Sequence, residues 1–197
     1  VLGLYLAERK RARDAAFISS EIRQLLQLPA VLETVFEKRD LIQQSARRLA
    51  AAKTYWAAVG SGPNKAAADE IRIKLSELCY KTISSDYVED KKHIDLSAEP
   101  LIIVCAAGSR PRVLDDIVKD TAIFRAHKAA PVVIVEEGED RFAPYAEDVI
   151  HVPPIAEHFG PIVNTFVGHL WGYYAALAIN EGSELLFDFR EKIQREI

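Results

Sequence analysis

The sequence contains no methionine and only two cysteines, and its 25 Lys and Arg fall short of its 29 Asp and Glu, giving a formal net charge of -4. A chain that begins at Val1 without any methionine is expected to be a piece of a longer translation product. The deficit of basic residues argues against nucleic acid or an anionic bilayer as the main partner, because both reward a basic patch. No apolar run approaches the roughly 18 residues needed to cross a bilayer, and the N-terminus lacks the basic, apolar, small-residue order of a signal peptide. The expected setting is therefore the cytoplasm, with neither membrane nor nucleic acid as partner. Cys79 and Cys105 both sit in apolar surroundings and are expected to be reduced core thiols.

What is present describes a globular chain. Hydrophobic residues make up 49% and charged residues 27% of 197 positions, enough for one domain with a substantial core and a small helical appendage. Residues 1–50 have helical periodicity, with Pro29 expected to divide two segments, the second running from Ala30 to Ala51. The charges of that second helix, Arg47 and Arg48 among them, are expected to be a solvated face. These 50 residues are expected to form a helical arm. From Lys53 the pattern changes to short apolar runs alternating with helices. Tyr55–Val59 reads as a strand closed by Gly60-Ser61-Gly62-Pro63, followed by a helix over 64–79. Thr82–Ser84, Pro100–Cys105, Pro131–Val135 and Val149–Val152 read as four more strands, with helices over 112–128 and 160–180. Strands alternating with helices predict an α/β fold: a five-stranded parallel sheet flanked by helices, spanning residues 51–180, with a tail over 181–197.

Ligands of open parallel sheets bind beyond the carboxyl ends of the strands, which points to the Gly60-Ser61-Gly62 turn. Two glycines there allow either an anion-binding helix start or an ordinary tight turn, since the third glycine of a dinucleotide fingerprint is replaced by Lys65. In the following helix Glu70, Lys74 and Glu77 share one face, and Ile71, Leu75 and Leu78 mark another, expected to face the sheet. By spacing alone the polar stripe reads as an exposed, salt-bridged surface. The five histidines show no metal-ligand spacing, so no metal site is expected. The apolar helix after Gly160 could pack on its own sheet or against a second module.

Read together, these segments resemble a known family. Gly60, Gly62, Glu70, Lys74, Leu75, Glu77, Tyr80, Lys92 and His93 fall without a gap on the letters of G-R-G, E-G-A-L-K-L-K-E-I-S-Y and K-H-G-P, as found in the second sugar isomerase (SIS) domain of glutamine-fructose-6-phosphate aminotransferases. The resemblance implies a flavodoxin-like three-layer sandwich and proton transfer between C1 and C2 of a hexose phosphate. It implies Glu77 as the base, Lys74 as a nearby cation, and His93 as the residue that opens the sugar ring in a neighbouring subunit. Gly60, Ser61, Gly62 and Glu70 become substrate-binding candidates. Lys192 matches, with a one-residue shift, the tail lysine that forms a Schiff base with the sugar. No cofactor is implied. The implied partners are fructose-6-phosphate or glucosamine-6-phosphate, a first SIS half of the same chain, and a second copy in a homodimer. The chain departs from the family where K-H-G-P reads Lys92-His93-Ile94-Asp95, and its third-strand loop, Ala106-Ala107-Gly108-Ser109, lacks the phosphate-cradling hydroxyls of a first SIS half. The alternatives are a non-catalytic sugar-phosphate-binding module and a fructosamine-phosphate deglycase.

Overall fold

The computed structural model describes residues 1–92, 99–181 and 184–196. Helices α1 (Leu2–Arg9), α2 (Ala15–Glu37) and α3 (Arg39–Ala50) precede strand β1 (Trp56–Gly60), helix α4 (Asn64–Cys79), strand β2 (Ile83–Asp86) and the short α5 (Val88–Lys91). There follow β3 (Leu101–Cys105), α6 (Pro111–Ala126), β4 (Ala130–Glu136), β5 (Asp148–Val152), α7 (Gly160–Glu181) and α8 (Glu184–Glu196). The five strands are all parallel in the order β2-β1-β3-β4-β5. The expected α/β architecture is the observed one.

The sheet is buried on both faces, which is why its strands read as unbroken apolar runs. Successive residues enter opposite layers. Trp56, Ala58, Leu101, Ile103, Val132 and Ile134 join Ile42, Ala46, Ile71, Leu75, Val167 and Trp171 in the larger core, under α2, α3, α4 and α7. Ala57, Val59, Ile102, Val104, Val133 and Val135 meet Ile117, Phe124 and Phe142 on the other side. Ile71 and Leu75 are fully buried, and they lie directly against Gly168 and Gly172 of α7, whose missing side chains let the two helices touch.

Two expectations about the N-terminal region need correction. Pro29 does not divide it: α2 runs through Pro29 from its Asp14 cap, whose carboxylate accepts from Phe17 N at 2.8 Å, to Glu37. An interior proline costs about 3 kcal/mol, but Leu28 and Val35 are buried and Leu25, Val31 and Leu32 pack on the core, so burial outweighs the lost bond. The break comes at Lys38, whose ammonium donates to His151 O at 3.0 Å and pairs with Glu137. Nor is Arg48 part of a purely solvated face. It pairs with Asp148 of β5 at 2.6 Å, tying α3 to the sheet edge.

Candidate functional site

The Gly60-Ser61-Gly62 turn delivers the chain from β1 into α4 without a spare ångström. A Cβ on Gly60 would stand 2.2 Å from Asn64 O, and Gly62 has φ +55°, a conformation that L side chains rarely adopt. Gly60→Ala is therefore expected to lower the unfolding free energy by about 3 kcal/mol in urea denaturation, because the first turn of α4 must shift. A midpoint equal to wild type would show that the turn yields freely. Ser61 Oγ donates to Glu89 Oε2 at 2.9 Å, and Lys92 Nζ donates to Asp120 Oδ1 at 2.8 Å. Ser61, Gly62, Glu89, Lys92, Asp116 and Asp120 line one cleft of about 460 Å³. Asp120 holds the Lys92 ammonium above its usual range. His93, next in sequence, lies outside the described residues.

Beside this turn is the gap between β1 and β3, where the strand order reverses and open α/β sheets bind their ligands. Here it is filled. Asn64 Nδ2 donates to Ala107 O at 2.9 Å and Ser109 Oγ at 3.3 Å. Asn164 Nδ2, from α7, reaches Asn64 Oδ1 at 3.1 Å, Ala107 O at 3.0 Å and Gly160 O at 2.8 Å. Both asparagines are buried, and the network satisfies their amide nitrogens and Asn64 Oδ1, which would otherwise be costly, while Asn164 Oδ1 is left without a hydrogen-bond partner among the described residues. No sequence motif announced it, because its members are 100 residues apart.

The polar stripe of α4 lies elsewhere. Thirteen residues at 1.5 Å each put Glu77 roughly 20 Å along the helix from Asn64, so the structure does not gather the glycine turn and Glu77 into one pocket. Lys74 Nζ pairs with Glu77 Oε2 at 3.0 Å, both half-exposed, and this hydrogen bond holds the Lys74 ammonium above its ordinary range. Glu70, a turn earlier, faces His169 of α7, with Oε1 to Nε2 at 3.4 Å. At the far end Arg190 of α8 donates to Leu78 O at 2.7 Å. Lys192 is exposed on α8. His169 and Arg190 were missed because only tertiary packing brings α7 and α8 to this face. The arrangement offers a carboxylate with an adjacent cation on an open surface, which suits proton transfer to a molecule held from outside.

Burial pushes the Cys79 thiol up to about 11 and the Cys105 thiol up to about 12, so neither is a nucleophile near neutral pH. Among the described residues no group of three or more His, Cys, Asp or Glu could hold a metal, and no helix is long and apolar enough to cross a membrane.

No family model matches the chain. It is 29% identical over 190 residues to the glutamine–fructose-6-phosphate aminotransferase of Streptomyces coelicolor, covering 94% of this chain and 30% of that protein. A Thermus thermophilus enzyme of the same name is 28% identical over 174 residues, 86% of this chain and 28% of that protein. The chain thus spans about 30% of the length of the curated relatives it matches, on their C-terminal side. Among solved structures, the C-terminal domain of the glucosamine-fructose-6-phosphate aminotransferase of Francisella tularensis superposes with TM-score 0.81 at 18% identity, over 90% of this chain and 50% of that one. The sugar isomerase domain of an RpiR transcription factor from Sphaerobacter thermophilus gives 0.65 at 14% identity, over 88% of this chain and 98% of that one. By sequence the chain is similar over most of its length to the C-terminal part of glutamine–fructose-6-phosphate aminotransferases, and its fold matches that of the C-terminal domain of one of them.

Proposed function

We propose that this chain is the isomerase half of a glutamine-fructose-6-phosphate aminotransferase-like protein, working on a hexose phosphate such as fructose-6-phosphate or glucosamine-6-phosphate. Glu77 carries the proton between C1 and C2. Lys74, paired with it at 3.0 Å, steadies the charge that develops on the enolamine. His93 gives and takes the ring-opening proton, and Lys192 is the tail amine that corresponds to the family's Schiff-base lysine. In this reading residues 1–50 are the arm, 51–180 the SIS domain and 181–197 the tail, in a cytoplasmic homodimer.

The observation that carries this reading is the pairing of an open Lys74–Glu77 surface with a filled switch point. Asn64 and Asn164 bridge the segments that follow β1 and β3 at the switch point, where open α/β sheets commonly bind their ligands. The sugar phosphate is then held by a first SIS half of the same polypeptide and presented to α4 from outside. The test uses the full-length protein with fructose-6-phosphate and glutamine in D2O. Deuterium at C2 of an amino-sugar product is the expected result, with none formed by the 197-residue chain alone. Binding of fructose-6-phosphate without any turnover would overturn the reading.

That last outcome would instead favour a non-catalytic sugar-phosphate-binding module. One observation speaks for it: the chain is nearly coextensive with a domain found in a transcription factor, matching 98% of that structure.

A further inference from the structure

Arg190 is a contact between α8 and the end of α4, and it is unusually complete. Its Nη2 donates to Leu78 O at 2.7 Å, its Nε donates to the Tyr80 hydroxyl at 3.1 Å, and its guanidinium carbon stands 4.8 Å from the centre of the Tyr80 ring. Leu78 O belongs to the last turn of α4, where carbonyls lack partners within the helix and the helix dipole presents its negative end. Tyr80, at φ 52°, is the left-handed residue that ends the helix. One side chain thus satisfies the terminal carbonyl, stacks on the terminating residue and fixes the turn that carries Glu77.

The helical repeat decides what else the tail can deliver. Two residues along α8 turn about 200° around its axis. With Arg190 directed at α4, Lys192 faces the opposite way, in agreement with its exposure. We propose that Arg190 is a positioning residue for Glu77, the group by which the tail holds the end of α4 in place. The proposal rests on the reading of Glu77 as the base. A planar guanidinium supplies charge and a rigid fork of donors. Arg190 then acts on the proton transfer through geometry and charge.

The test uses the full-length protein and the variants Arg190→Gln, Arg190→Lys and Glu77→Gln. Amide hydrogen exchange over 188–196 is expected to accelerate by about tenfold or more in Arg190→Gln, as α8 opens locally. Deuterium transfer from solvent should show kcat lowered by roughly tenfold or more at unchanged KM, since a base displaced by an ångström still allows binding. Arg190→Lys keeps the charge without the fork and should recover only part of both effects. Unchanged exchange in Arg190→Gln, or wild-type kcat in a variant whose α8 has opened, would overturn the proposal. If Glu77→Gln itself keeps full turnover, the reading of the base has failed. If Glu77→Gln is dead while Arg190→Gln is fully active, only the positioning role has failed.

Discussion

Replacing Glu77 by glutamine in the full-length protein is expected to lower deuterium transfer between C1 and C2 by about 10³-fold, the range lost when a positioned general base is removed. The amide is nearly isosteric, and its carbonyl oxygen can still accept from Lys74, whose ammonium lies 3.0 Å from the present carboxylate. What it cannot do is take a proton. The local fold should therefore survive and fructose-6-phosphate should bind as before, which calorimetry would check alongside the exchange rate. Turnover within tenfold of wild type would remove Glu77 from the reaction. The plainer view of this stripe, a solvated salt bridge, makes the opposite forecast, because an exposed pair of this kind contributes little to stability and nothing to chemistry.

Trp171→Ala is expected to be the most damaging stability change, about 4 kcal/mol, and to lower Tm by roughly 10 °C. Trp171 is almost wholly buried in α7, its ring meets Trp56 of β1 edge-on at 5.4 Å, and its Nε1 donates to Ser45 Oγ of α3 at 3.0 Å. One side chain therefore joins α3, α7 and β1. Its removal leaves a cavity the size of an indole and strips the buried Ser45 hydroxyl of a partner. Urea denaturation of the 197-residue chain would measure the loss, and a change below about 1 kcal/mol would mean that α3 and α7 collapse into the gap.

Much of this protein was legible before folding was considered. The helix read over 64–79 is α4 with the same ends, and the apolar runs at 100–105 and 131–135 are β3 and β4 to within a residue or two. These succeed because a strand buried on both faces must be apolar throughout, and because glycines at Gly60 and Gly62 mark a tight turn that residues with a Cβ would strain. The motif around Glu70, Lys74, Glu77 and Tyr80 was equally visible, since residues on one helix face keep a fixed spacing.

Packing settled the rest. Whether α2 breaks at Pro29 depends on how much of Leu28 and Val35 is buried, and that is known only once the sheet is in place. Asn64 with Asn164, Arg48 with Asp148 and Arg190 with Leu78 join residues about 100 positions apart. Local propensity carries no trace of such pairs, because each side chain is equally at home in water until its partner arrives. Periodicity and motif alone were enough for the layers, the order of elements and the identity of the carboxylate worth testing. Only the packed chain revealed that the switch point beside the glycine turn is already filled, because the asparagines that fill it come from helices distant in sequence.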